Sequence, residues 1–269
     1  MTATTADDHL QTDRPADGVA RITINRPDRL NALEWGTVRA LRDLLGRLDA
    51  DPTVRVVVLT GAGRGFCAGL DLQQEGSFAP TREAVLANQE LFADTILAIR
   101  EMDKPVLAAV NGPAAGGGLA LALACDVRVA SPTARFAASF VRLGLSGCDM
   151  GTSHLLPRIV GLGHASELLL TGRLVDAAEA ARIGLVNRVV PAEELMDDVL
   201  GVAAEIVANA PFGVRMTKEV LDVNVDAPSL RAALELENRT QVLATGTADQ
   251  REAVAAFLER RPAVFGDRR

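Results

Sequence analysis

Asn111-Gly112-Pro113-Ala114-Ala115-Gly116-Gly117-Gly118 follows the short apolar run 105–110 and leads straight into a second apolar stretch, 119–124. The run reads as a buried strand, and the three glycines open a short apolar helix. Glycine permits close approach of backbone or ligand, and the first turn of a helix exposes N–H groups with no partner inside the helix. Such a turn can hold an anion, including the oxyanion of a polarised carbonyl. Close packing of helix on strand accounts for a lone triple glycine at least as well, so the rest of the chain must decide.

A second glycine turn, Thr60-Gly61-Ala62-Gly63-Arg64-Gly65-Phe66-Cys67-Ala68-Gly69-Leu70-Asp71, also follows a buried-strand pattern, at 54–59. Gly61 and Gly63 fit the opening of a dinucleotide fingerprint, but its third glycine falls on Phe66. No Gly-Lys-Ser/Thr follows, which excludes a Walker loop. A nucleophile elbow beginning at Gly144 needs glycine where Cys148 stands.

Two strand-to-glycine turns, about fifty residues apart, together resemble the crotonase superfamily, the enoyl-CoA hydratase/isomerase group. Arg26-Pro27-Asp28-Arg29-Leu30-Asn31-Ala32-Leu33 resembles its entry motif, and Phe66-Cys67-Ala68-Gly69-Leu70-Asp71-Leu72 its first oxyanion turn. Val110-Asn111-Gly112 through Cys125-Asp126 resembles the second. Leu170-Thr171-Gly172-Arg173, residues 180–190 and Phe257-Leu258-Glu259-Arg260-Arg261-Pro262 match later segments, so the likeness covers roughly residues 18–266. It implies an α/β fold, a crotonase-type spiral of ββα repeats with a helical C-terminal region used in trimerisation. The expected division is a mobile N-terminal tail at 1–17, a ββα core at 18–200 and a helical C-terminal region at 201–269.

Composition fits. The 269 residues are 48% hydrophobic with one Trp and no Tyr, which makes the core aliphatic. A net charge of −7 argues against broad nucleic-acid binding. Cys67, Cys125 and Cys148 are odd in number and lack metal-ligand spacing, which reads as small apolar residues in a reducing compartment. No run is long enough to span a membrane and no leader is evident, so a cytoplasmic protein without a membrane partner is expected. Along the chain, 19–25 reads as a strand and 35–49 as a helix with Leu41, Leu44, Leu45 and Leu48 on one face. Residues 73–81 read as a loop, with Thr81 capping a helix to about 102, and 127–130 as a strand. Helical patterns dominate from 151, notably at 192–208, 211–221, 228–238 and 248–259.

The resemblance assigns the oxyanion hole to the backbone N–H groups of Leu70 and Gly117, which would polarise an acyl-CoA thioester and stabilise an enolate. It places Ala68, Asp71, Leu72, Gly116 and Phe140 along the substrate, Asp71 chiefly as a brace. Arg260 matches a basic residue that meets the CoA phosphate from a neighbouring subunit, which implies a homotrimer or a dimer of trimers. Coenzyme A is then part of the substrate, with no metal and no separate cofactor. The acid/base pair departs from the pattern: Ala120 and Phe140 occupy the positions of the two hydratase glutamates, and neither can transfer a proton. Aligned back from Gly151-Thr152, Asp149 falls where some family isomerases carry their acid, with one residue more between Gly144 and Asp149 than the dienoyl isomerases have. Asp149 reads equally as the N-cap of a helix starting at Gly151.

His154, Glu75, Glu83 and Glu90 are further acid or base candidates. Arg135 and Arg142 suit an ion pair or the pocket mouth, and Asp126 a structural role. Three readings follow: an enoyl-CoA isomerase using Asp149, a hydratase or lyase with a substitute acid, and an acyl-CoA-binding protein without turnover.

Overall fold

The computed structural model describes residues 9–74 and 81–265. Its strands are β1 (Leu10–Ala16), β2 (Val19–Ile24), β3 (Val56–Gly61), β4 (Val106–Val110), β5 (Ala114–Ala115), β6 (Val127–Ala130), β7 (Arg135–Ala137), β8 (Val175–Asp176) and β9 (Arg188–Val189). Its helices are α1 (Trp35–Ala50), α2 (Arg82–Arg100), α3 (Gly117–Ala124), α4 (Thr152–Val160), α5 (Leu162–Thr171), α6 (Ala177–Arg182), α7 (Leu195–Val207), α8 (Pro211–Asn224), α9 (Leu230–Ala244) and α10 (Ala248–Glu259).

One sheet has the order β1-β2-β3-β4-β6-β9, and β5, β7 and β8 form a second. β1 is antiparallel to β2, and every later pair in the large sheet is parallel. Parallel neighbours need crossovers, which α1, α2 and α3 supply in turn. The expected α/β class, with its helical C-terminal region, is what forms.

The large sheet is covered on both faces. Val57 and Leu59 of β3 join Ala108 and Val110 of β4 in a cluster with Leu41, Leu45, Ile99 and Leu121 of the crossover helices. Val56, Val58, Leu107 and Ala109 point the other way, onto Leu195, Val199 and Ala203 of α7. A strand buried on both faces reads as an unbroken apolar run rather than an alternation, which is why 54–59 and 105–110 are legible as strands. Each fully buried Val, Leu or Ile contributes about 1.5–3 kcal/mol. In α1, Leu41, Leu44, Leu45 and Leu48 are buried as their spacing predicts.

The expected tail at 1–17 is corrected over its described part, and residues 1–8 lie outside the described residues. Residues 10–16 form β1, paired with β2 from Leu10↔Ile24 to Asp13↔Arg21, and the ordered unit therefore begins before residue 18. Backbone hydrogen bonds hold a polar strand at a sheet edge as well as an apolar one, and Arg21 pairs with Asp13 across the strands. The Thr81 hydroxyl accepts the Ala84 N–H at 3.2 Å and caps α2, which ends at Arg100. Most of the expected loop at 73–81, Glu75 included, lies outside the described residues. Among the described residues no single helix is long and apolar enough to cross a membrane.

Candidate active site

The two glycine turns are zipped together by their backbones. Asn111, at the end of β4, donates Nδ2 to the carbonyls of Gly61 and Gly63 at 2.8 and 2.9 Å. From the other side Asn31 Nδ2 donates to the carbonyls of Ala62 and Gly65 at 2.9 and 2.6 Å. Next, Cys67 N–H donates to Pro113 O at 3.0 Å and Ala115 N–H donates to Cys67 O at 3.0 Å. Gly118 completes the contact, because a Cβ there would lie 1.9 Å from Cys67 O. Gly116 turns into α3 at φ +51, with its N–H held by Ala137 O of β7 at 2.9 Å.

This arrangement brings Leu70 and Gly117 close together. Gly117 is the first residue of α3, so its N–H has no intrahelical acceptor. Leu70 bridges to Leu33 through its neighbours: Gly69 O accepts Leu33 N–H at 2.7 Å and Asp71 N–H donates to Leu33 O at 2.9 Å. Among the described residues neither Leu70 N–H nor Gly117 N–H has a backbone acceptor. A Cβ on Gly69, beside Leu70, would stand 3.2 Å from Gly117 N, so the two turns meet here.

Leu70 and Gly117 both line a cavity of about 440 Å³. Ala68, Leu70, Leu72, Gly116, Gly117 and Phe140 line it, as does Asp149. Trp35 and Phe92 meet edge to face with ring centroids 4.9 Å apart and form part of the apolar wall. Phe140 is buried, so the position that the resemblance gives to a hydratase glutamate holds hydrocarbon.

Asp149 is half-buried and is the one carboxylate among the described lining residues. Its Oδ1 accepts the Met150 N–H at 2.8 Å and Gln89 Nε2 at 3.0 Å. Met150 and Gly151, which follow it, are both left-handed, at φ 48 and 77. The N-cap alternative is not what forms. α4 starts at Thr152 with Gly151 as a cap that makes no side-chain bond. Thr152 Oγ1 ties the turn instead, donating to Asp149 O at 2.8 Å.

Other expected residues fall elsewhere. Asp71 does not line the cavity: it is buried and pairs with Arg26 at 3.0 Å, and Arg26 also reaches Glu34 at 2.6 Å. Its role is the brace. Arg260 is exposed, caps α10 in the left-handed region and does not line this cavity. His154 faces solvent beside Asp226 at 3.8 Å, and Glu83 and Glu90 are exposed on α2 away from the wall. Arg142 lines the cavity, whereas Arg135 bonds the carbonyls of Pro132 and Ala134. Asp126 accepts the Val106 N–H at 2.7 Å and pairs with Lys218 at 3.0 Å, a structural role.

Sequence reasoning missed Gln89, Asn88, Ser139, Trp35 and Met150, all on the cavity wall. Asn88 and Gln89 sit beside the apolar stripe of α2, where a polar residue looks like a solvated one.

The sequence pattern of the enoyl-CoA hydratase/isomerase family matches residues 14–268. A probable enoyl-CoA hydratase of Mycobacterium bovis is 44% identical over 261 residues, 95% of this chain and 92% of that protein. The 1,2-epoxyphenylacetyl-CoA isomerase of Escherichia coli is 36% identical over 250 residues, 92% of this chain and 95% of that protein. The crystal structure of a probable enoyl-CoA hydratase/isomerase from Mycobacterium abscessus superposes with a TM-score of 0.89 at 42% identity, covering 97% of this chain and all of that one. Fold, interlocked glycine turns and relatives agree: this chain is an enzyme of the enoyl-CoA hydratase/isomerase family, the crotonase superfamily.

Proposed function

We propose that the chain isomerises unsaturated acyl-CoA thioesters, moving a double bond between the 3 and 2 positions, with Asp149 as the proton shuttle. The observation that carries this reading is the acid inventory of the cavity. Asp149 is the one carboxylate among the described lining residues, and Ala120 and Phe140 replace the paired glutamates. Relatives named as hydratases and as isomerases both match the chain, so the family leaves the reaction open.

The thioester carbonyl accepts from Leu70 N–H and Gly117 N–H. Loss of one such donor costs roughly 3 kcal/mol of barrier. The apolar wall strengthens these bonds by excluding water. Asp149 removes a proton from the carbon beside the carbonyl and returns it two carbons along. Isomerisation needs no activated water, whereas hydration calls for a second group at the positions now held by Ala120 and Phe140. Coenzyme A is the handle of the substrate and no separate cofactor takes part. Exposed Leu230, Val242, Leu243, Phe257 and Leu258 on α9 and α10 suit burial between copies of a trimer, with Arg260 beside them for a neighbour's CoA phosphate.

The test is a panel of 2-enoyl-, 3-enoyl- and dienoyl-CoA thioesters with products resolved by mass. The expected result is an isomer of unchanged mass from a 3-enoyl or dienoyl substrate, abolished in Asp149→Asn with thioester binding retained. Gain of one water on a 2-enoyl substrate would replace this reading with hydration.

A further inference from the structure

Gln89 and Asp149 are 60 residues apart in the chain, yet Gln89 Nε2 donates to Asp149 Oδ1 at 3.0 Å across the cavity wall. The Met150 N–H donates to the same oxygen at 2.8 Å. Among the described residues Oδ2 has no donor. We propose that Gln89 is a positioning residue for the proton transfer: with Met150 it reserves Oδ1 as a hydrogen-bond acceptor and leaves Oδ2 as the one oxygen that takes and returns the proton. The proposal rests on the reading of Asp149 as the shuttle.

The chemistry suits both protonation states. An ionised carboxylate only accepts, so Gln89 presents its amide nitrogen. Once Oδ2 is protonated, Oδ1 is carbonyl-like and still accepts from both donors, so neither has to move during turnover. In the forward step Oδ2 takes the C2 proton of a 3-enoyl thioester, and the C–H electron pair spreads through the conjugated system onto the thioester oxygen. In the return step that pair forms the C2=C3 bond, and the electrons of the old C3=C4 bond bind at C4 the proton carried by Oδ2. Mass and charge are unchanged. A single fixed oxygen collects and delivers on one side of the acyl chain, and some product keeps the substrate's own hydrogen.

Gln89 is exposed on α2, so its replacement leaves the core intact. 3-Hexenoyl-CoA is turned over in deuterium oxide, and the fraction of product that retains the original hydrogen is read by mass spectrometry beside kcat, KM and thioester binding. Gln89→Met keeps length and volume without the donor. It should lower kcat by about 10- to 100-fold, the scale of a hydrogen bond to a charged group, with KM and binding near parental and the retained fraction reduced. Gln89→Glu sets a second acceptor against Oδ1 and should lose more than Gln89→Met. Parental kcat and retained fraction in both variants beside an inactive Asp149→Asn, or complete exchange in the parent, overturns the proposal and leaves the shuttle standing. Turnover that survives in Asp149→Asn overturns the shuttle and this proposal with it.

Discussion

Replacing Gly118 by alanine tests whether backbone contact between the two turns sets the geometry of the site. A Cβ here would lie 1.9 Å from Cys67 O, 2.7 Å from its carbonyl carbon and 2.9 Å from Cys67 Cβ. Ordinary contact begins near 3.4 Å, so the overlap on oxygen is roughly 1.5 Å and falls on main chain that no rotamer change relieves. The same carbonyl accepts the Ala115 N–H at 3.0 Å, so relief requires the turns to part by something on the order of an ångström. Overpacking of this kind costs about 1–3 kcal/mol, which in a chain of this size lowers Tm by roughly 2–6 °C. The second effect is on rate. Parting the turns separates Leu70 N–H from Gly117 N–H, and a misplacement of about 1 Å costs on the order of 100-fold in turnover. Melting curves, kcat and thioester binding on the variant check both effects. The control is Gly46→Ala in α1, where nothing lies within 4 Å of the new Cβ; it should gain about 0.5–1 kcal/mol and leave kcat unchanged. Parental Tm and kcat in Gly118→Ala would refute the reasoning.

Two further outcomes are expected. Burial pushes the Asp71 carboxyl up, but the Gln73 N–H and the Arg26 guanidinium outweigh it and hold the group below the usual carboxylate range. A depressed folded-state value gives stability that is present above a pH of about 4 and is lost as pH falls through the folded value. Arg26→Met should therefore lower stability at neutral pH by about 1–3 kcal/mol and flatten the acid-side loss; urea midpoints across pH 3–7 that stay parallel in the two proteins would contradict this. Burial pushes the Cys67 and Cys125 thiols up to about 12, whereas Cys148 is exposed. A chromogenic disulfide reagent at pH 8 should titrate one thiol in the folded protein and all three after denaturation; rapid labelling of two in the folded state would show that the burial is wrong.

What could be read from the chain follows from where each signal resides. β3 and β4 were legible because a strand covered on both faces leaves an unbroken apolar run. The two turns were legible because the contacts at Gly61, Gly112 and Gly118 admit no Cβ. The position of Asp149 came from the motif, but the turn that follows it did not: Met150 stands in the left-handed region, which its residue type does not announce. Gln89 carries no local signal at all, since only the tertiary fold brings α2 to the segment before α4. β1 was hidden for another reason, its polarity.

That polarity has a use of its own. β1 closes the large sheet on one side, and a sheet's outer strand offers a row of backbone groups on which a foreign strand can grow. Gln11, Thr12, Asp13 and Arg14 are all exposed, so an incoming strand would have to strip water from charges. Pro15 has no N–H to offer, and the pairing register breaks between Asp13 and Ala16. The residues that disguise β1 as a tail thus serve as a guard against aggregation, on a sheet whose inner strands are mostly aliphatic.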